Sequence, residues 1–172
     1  MIDLREKVEK ERTLLKKIEL AIPEFRGYRK REDLRVADSM LRDYIARILS
    51  DVEKYAKITR ENIAGEMMLE EMERIGKIVN QVSKIVSEVQ HAEEGYMGLV
   101  SDYRVDIEQL NNLYEFDVKL IEESQNLLEF ARKMSNTAHS EVDTIMQEFL
   151  IKLNEFEEVF EKRRDYMLEV FK

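Results

Sequence analysis

The stretch DIEQLNNLYEFDVKLIEESQNLLEF, residues 106–130, decides the fold. Its apolar residues recur at the spacing of a single helix face, and this stripe consists of Leu110, Leu113, Tyr114, Leu120, Ile121 and Leu128. Asp117 interrupts the stripe, with apolar neighbours one turn before it and one turn after it. Because an unpaired charge is costly to bury, this carboxylate is expected to be paired inside a core or to mark a site. The stretch therefore predicts an amphipathic core helix with one polar position of interest.

The composition extends this prediction to the whole chain. One proline, five glycines and 38% charged residues favour helices over a sheet with its turns. A length of 172 residues is enough for one domain with a sizeable core and short for two. We expect a single all-α domain that spans residues 1–172.

Five helices are predicted from the apolar spacing, at about residues 2–20, 30–62, 66–91, 107–133 and 140–171. Ile22-Pro23 ends the first helix, because proline removes a donor and disfavours helical geometry in the residue before it. Gly27 can supply a positive φ in the loop that follows. Gly65 is expected to separate the second helix from the third, since one continuous helix would be roughly 90 Å long.

The third helix carries a regular apolar seam, in steps of four and three, made of Met68, Met72, Ile75, Val79, Val82, Val86 and Val89. Such a seam is typical of helices that pack side by side, as in a coiled coil. Asp106 followed by Gln109 predicts a capping box at the start of the fourth helix. The expected architecture is an antiparallel four-helix bundle with the first helix as a shorter accessory.

The charge distribution argues against nucleic acid as a partner, because the net charge is −9. Residues 1–42 hold 12 Lys/Arg against 9 Asp/Glu, and residues 43–172 hold 16 against 28. Internal pairing of a mildly basic end with an acidic body is favoured over an external anionic partner. A membrane contact through Arg26, Arg29, Lys30 and Arg31 is a weaker hypothesis, because acidic residues interrupt the cluster.

We expect a cytoplasmic protein. No window approaches the roughly 20 apolar residues of a membrane span, and the first residues are charged. The sequence has no cysteine, which excludes disulfides and thiolate sites. Absence of cysteine also fits oxidising compartments.

No enzymatic chemistry is predicted. A di-iron bundle needs two Glu-x-x-His motifs, and the sequence has one, Glu88 to His91. The other histidine, His139, stands in a predicted turn. Nucleophile turns and phosphate-binding glycine loops are missing as well. We therefore expect no cofactor and no metal.

A candidate polar cluster is predicted from the second and fourth helices, and it consists of Arg35, Asp38, Arg42, Tyr114 and Asp117. The favoured interpretation is a buried ion pair of Asp117 with Arg35 or Arg42, assisted by a tyrosine such as Tyr114, Tyr96 or Tyr28. The alternative is a small polar pocket in which the same groups bind a ligand or a metal.

A candidate interface is predicted at the apolar end of the fifth helix, at Phe160, Met167, Val170 and Phe171. An end this apolar should be covered, either by the first helix or by a second copy of the chain. The first functional hypothesis is thus a non-enzymatic scaffold that self-associates or binds a protein partner, with no small molecule identified. The alternative is a small-ligand or metal-binding bundle centred on Asp117 and Arg35.

Three strings combine glycine, tyrosine and charged residues: Gly27-Tyr28-Arg29-x-Arg31-Glu32-x-x-Arg35-x-x-Asp38, Gly95-Tyr96-x-Gly98 and Leu113-Tyr114-Glu115-Phe116-Asp117. They resemble a family of uncharacterised helical proteins from prokaryotes. The resemblance implies that the Gly-Tyr loops and the Asp117 segment lie together in space. It implies no activity, substrate or catalytic residue.

Overall fold

Five α-helices form the chain in a computed structural model that describes residues 4–66, 68–92 and 106–170, without the side chains of Arg31 and Glu32. The helices are α1 (Leu4–Ala21), α2 (Arg31–Ala64), α3 (Leu69–His91), α4 (Ile107–Ser135) and α5 (His139–Val170). Within these ranges there is no strand. The predicted all-α class is confirmed, and the predicted ends that fall in the described ranges lie within three residues of the observed ones.

The bundle consists of two antiparallel hairpins, α2/α3 and α4/α5, that pack side by side. Helix α2 packs extensively against both α3 and α4, whereas α5 packs extensively against α4 and more sparsely against α3. Helices α2 and α4 run parallel, because Tyr44 contacts Gln125 at one level and Asn62 contacts Ser135 nearer the helix ends. From α2 to α5, each helix therefore runs opposite to the one before it, as predicted, while α2 and α5 face each other diagonally.

A local signal accounts for the start of α4. Asp106 and Gln109 form the predicted capping box, in which each side chain accepts from the other residue's backbone N–H. Gly65 does lie at the end of α2, but its φ of −65° is helical, so this turn does not use the left-handed freedom of glycine.

Helix α1 is the predicted accessory, and it lies parallel to α4. Lys7 near its start contacts Glu108, and Ala21 at its end lies beside Ile121. The loop that follows carries the chain back to the start of α2. Gly27 in this loop has a φ of +78°, as predicted, and a Cβ at this position would collide with the hydroxyl of Tyr114.

The predicted interface on α5 is wrong for the residues described. Phe160 and Met167 are 3% and 1% exposed and belong to the core, and Val170 packs against that core. The end of α5 lies on the start of α4, where Tyr166 contacts the ring of Phe116. Neither α1 nor a second copy is needed to cover it. Phe171 lies outside the described residues.

In the described part of the chain, no helix is both long enough and apolar enough to cross a membrane.

Candidate functional site

A cluster of charged side chains and one tyrosine lies where all four helices of the bundle meet the loop after α1. We call it the ionic cluster, and it consists of Tyr28, Asp38, Arg42, Asp117 and Arg163. Asp117 is its centre, with 0% exposure. Nε of Arg163 donates to one carboxylate oxygen of Asp117 at 2.6 Å, and the Tyr28 hydroxyl donates to the other at 2.6 Å.

Arg163 connects both halves of the ionic cluster. Its Nη2 donates to the Tyr28 hydroxyl at 3.0 Å and lies 2.9 Å from Oδ1 of Asp38. The contact with Asp38 has the distance of an ion pair without the alignment of a hydrogen bond. Nε of Arg42 donates to the other oxygen of Asp38 at 2.8 Å. One guanidinium on α5 thereby bridges a carboxylate on α2 and a carboxylate on α4.

Arg42 ties the ionic cluster to the end of α3. Its Nη1 donates to the carbonyl oxygens of Val89 at 3.3 Å and Gln90 at 3.1 Å, in the last turn of that helix. The last carbonyls of a helix have no partner within the helix, and this end carries partial negative charge. A guanidinium is therefore a fitting cap for α3.

An aromatic group holds the Tyr28 loop in place. The rings of Tyr28 and Tyr114 stack with centroids 5.5 Å apart, and Phe25 meets both rings edge-on. The Tyr114 hydroxyl accepts a hydrogen bond from the backbone N–H of Tyr28 at 3.0 Å. This contact is possible because Gly27 has no side chain in the way.

The ionic cluster is balanced in charge, with two carboxylates and two guanidinium groups. Burial alone would lower the pKa of Arg163, but Asp117, Tyr28 and Asp38 hold it well above its usual value. Burial raises the pKa of Asp117, while Arg163 and the Tyr28 hydroxyl act in the opposite direction. Since a guanidinium only donates, Asp117 takes part as the accepting carboxylate.

Of the five residues in the predicted polar cluster, Asp38, Arg42 and Asp117 belong to the ionic cluster, and Tyr114 is buried next to its Tyr28. Arg35 is exposed on α2. The predicted cation for Asp117 is wrong, because Arg163 on α5 takes the place given to Arg35 or Arg42. Of the three tyrosines considered, Tyr28 bonds to Asp117, Tyr114 bonds to the Tyr28 backbone, and Tyr96 lies outside the described residues.

Arg163 could have been found by the signal that revealed Asp117. It lies three residues after Phe160 and four before Met167, on the buried face of α5. A long cationic side chain at such a position usually extends to solvent, so it indicates a buried charge less strongly than a short carboxylate does.

The other candidate residues stay apart. Glu88 pairs with Lys84 at 3.5 Å, and His91 is exposed at the end of α3. His139 lies 3.3 Å from Glu66. Within the described ranges, no three His, Asp or Glu side chains are grouped to hold a metal ion. Of the basic residues near the loop, Arg29 binds Glu11 through two nitrogens at 2.6 Å.

Comparison with protein-family models, curated proteins and solved structures finds no match for this chain. The resemblance to uncharacterised prokaryotic proteins stays a prediction.

The two stacked tyrosines provide a test of the described burial. Burial raises the pKa of Tyr114 to about 12 and the pKa of Tyr28 well above its ordinary value. A tyrosine whose pKa is raised in the folded state stabilises the fold below the pKa of the unfolded state, about 10, and this contribution is lost as the pH rises further.

The measurement compares the parent with Tyr114→Phe at about pH 11. While folded, the two proteins should give equal tyrosinate absorbance. After denaturation the parent should exceed the variant by one tyrosine. A one-tyrosine excess in the folded parent, with helical circular dichroism intact, would contradict the burial.

Proposed function

We propose that the protein is a non-enzymatic helical scaffold that acts by binding another protein or a second copy of itself. The observation that carries this proposal is the closure of the ionic cluster. Both oxygens of Asp117 are bonded to Arg163 and Tyr28, and Arg163 is itself 1% exposed. These groups are engaged with one another, so their arrangement supports a structural role.

The alternative, a bundle that binds a small ligand or metal around Asp117 and Arg35, fits the geometry less well. Arg35 is exposed on α2, whereas Asp117 is fully buried. A ligand at Asp117 would have to separate a buried ion pair, and an uncompensated buried charge is strongly destabilising. Three surface grooves lined by described residues include no member of the ionic cluster.

The proposal places the scaffold in the cytoplasm. Its support is the cysteine-free sequence together with a strongly charged, acidic composition. A protein partner is favoured over nucleic acid, because the net charge of −9 repels a polyanion.

Two measurements on the full chain test the proposal. The first is thermal melting with Mg²⁺, Mn²⁺, Zn²⁺ or inorganic phosphate. Ligand at 100 times its Kd would stabilise the fold by about 2.7 kcal/mol and raise the melting temperature, and we expect no such rise.

The second measurement is light scattering over a wide concentration range, followed by crosslinking in cells and reconstitution with each crosslinked protein. We expect a defined complex with a second copy or with a reconstituted partner. A saturable shift that Asp117→Asn abolishes would instead support the ligand-binding alternative.

A further inference from the structure

Helix α1 has fewer buried residues than any of the other four helices. Glu11 and Ile18 are its buried residues, and α4 is the one described helix against which it packs extensively. Depressions of about 330 Å³ and 270 Å³ lie at the two ends of the contact between α1 and α4, one beside Asn111 and the other beside Ile121. A segment with few buried apolar contacts can open while the rest of a fold stays intact.

Charged pairs hold the first half of α1 on α4. Nζ of Lys7 lies 2.8 Å from Oε2 of Glu108, and Lys10 pairs with Glu115. The side chain of Asn111 also donates to the carbonyl oxygen of Lys7 at 3.0 Å. All four charged side chains are at least 30% exposed, and ion pairs that are exposed to solvent contribute little to stability. The first half of α1 is therefore held weakly.

A carboxylate lies in the middle of the face that α1 turns to α4. Glu11 stands two helical turns before Ile18, on the same side of the helix, and both residues are buried. The two oxygens of Glu11 accept hydrogen bonds from Arg29 at 2.6 Å, and the side chain of Arg29 is 62% exposed. Because an uncompensated buried charge is strongly destabilising, the burial of Glu11 depends on this ion pair.

An apolar side chain at position 11 would bind α1 to α4 without any partner. Leu14 and Leu15 pack against the core on the same helix, so a further apolar residue would extend an existing contact. A buried leucine gains free energy by leaving water, whereas a buried carboxylate loses hydration that its cation has to replace. When α1 leaves α4, both members of the Glu11–Arg29 pair return to water. The ion pair thus makes the attachment of α1 conditional.

The ionic cluster joins the four bundle helices without a residue of α1. Its members link α2, α4 and α5, and Arg42 extends it to the end of α3. In the loop after α1, Phe25 and Tyr28 pack with Tyr114 and fix the part of the loop that leads into α2. The chain can therefore hinge between Ala21 and Phe25.

We propose that α1 is a releasable arm, which leaves α4 while the four-helix bundle stays folded, and that the Glu11–Arg29 pair is the contact that holds it. Release would uncover the part of α4 that carries Val118 and Ile121, both of which are buried beside the end of α1. Local opening of this kind occurs where a segment is stabilised less than the rest of the fold. The arm is a conformational device and does not depend on the proposed function.

Cysteine labelling can measure the release, because the sequence has no cysteine of its own. Ile18→Cys on α1 is compared with Ile78→Cys on α3, since both isoleucines are 0% exposed. Each full-length variant is treated with an excess of a thiol reagent, and its labelling rate is divided by the rate of the same variant unfolded in urea. We expect Ile18→Cys to label at least about tenfold faster than Ile78→Cys, with the helical circular dichroism of both intact.

Further substitutions test the role of the Glu11–Arg29 pair. Arg29→Met leaves Glu11 without its cation, so it should speed the labelling of Ile18→Cys about tenfold or more and leave that of Ile78→Cys unchanged. Arg26→Met, at an exposed position in the same loop, is the matched control and should change neither rate. In chains that also carry Glu11→Leu, Arg29→Met should change the labelling of Ile18→Cys by less than about threefold.

Three results would overturn the inference. Equal normalised rates for Ile18→Cys and Ile78→Cys would mean that α1 leaves only when the whole bundle unfolds. Equal acceleration of both by Arg29→Met would mean that the ion pair stabilises the whole fold. An acceleration by Arg29→Met that persists with Glu11→Leu would mean that Arg29 holds α1 through another contact.

Discussion

Replacing Arg163 with methionine is expected to lower the free energy of unfolding by about 3 to 5 kcal/mol. Methionine is long enough to fill much of the space but carries no charge. The substitution leaves the buried carboxylates of Asp38 and Asp117 with Arg42 as the one remaining cation of the ionic cluster. A buried charge without compensation costs far more than the intact pair contributes.

Arg164 provides the matched control, because it is the next residue on α5 and is 44% exposed. Arg164→Met should change the free energy of unfolding by no more than about 0.5 kcal/mol. Both variants are measured by urea denaturation followed by circular dichroism. Equal stabilities for the two variants would mean that Arg163 is not buried against the carboxylates.

Gly27→Ala is expected to destabilise the fold by about 2 kcal/mol or more. The φ of +78° at this position is strained for any residue with a Cβ. The added methyl would also collide with the Tyr114 hydroxyl and displace it from the Tyr28 N–H. The loss of this contact should loosen the Tyr28 loop and weaken its hydrogen bond to Asp117.

The same substitution at Gly76 should change the stability in the opposite direction. Gly76 lies inside α3, and no described atom beyond its own helix backbone and chain neighbours comes within 4 Å of a Cβ placed there. Alanine is favoured over glycine in a helix by about 0.5 to 1 kcal/mol, so Gly76→Ala should stabilise the protein by about that amount. Thermal melting of the two variants beside the parent compares the effects. A harmless Gly27→Ala would contradict the close approach of Tyr114.

Much of the fold follows from local sequence. Apolar spacing predicts the helices, and Asp106 with Gln109 marks the start of α4, because these signals depend only on neighbours along the chain. The carboxylate of Asp117 stands out for the same reason. Its burial can be predicted, because a residue within an apolar stripe lies on the helix face that packs into the core.

The arrangement of helices around the bundle is not a local property. Helical spacing does not say that α2 and α4 are parallel neighbours, or that α5 faces α2 across the centre. For this reason the sequence indicates Arg35, on the same helix as Asp38, as a partner of Asp117 and does not indicate Arg163. It likewise predicts an interface at the end of α5, because the packing of that end on the start of α4 depends on this arrangement.

The role of Arg42 shows a second limit. Its contacts with the carbonyl oxygens of Val89 and Gln90 need the last turn of α3 to lie at the level of Asp38. That level is set by the lengths of two helices and by their packing. The position of Arg42 next to these carbonyl oxygens therefore follows only from the assembled α2/α3 hairpin.

A double-mutant cycle at Asp117 and Arg163 tests most directly whether the ionic cluster is a closed structural unit. Asp117→Leu, Arg163→Met and the double variant are each unfolded in urea, and the double variant retains the Asp38–Arg42 pair. We expect the double variant to lose less free energy of unfolding than the two single variants lose together, by at least about 1 kcal/mol. Additive effects, equal within about 0.5 kcal/mol, would show that the two side chains do not depend on each other and would contradict a closed cluster.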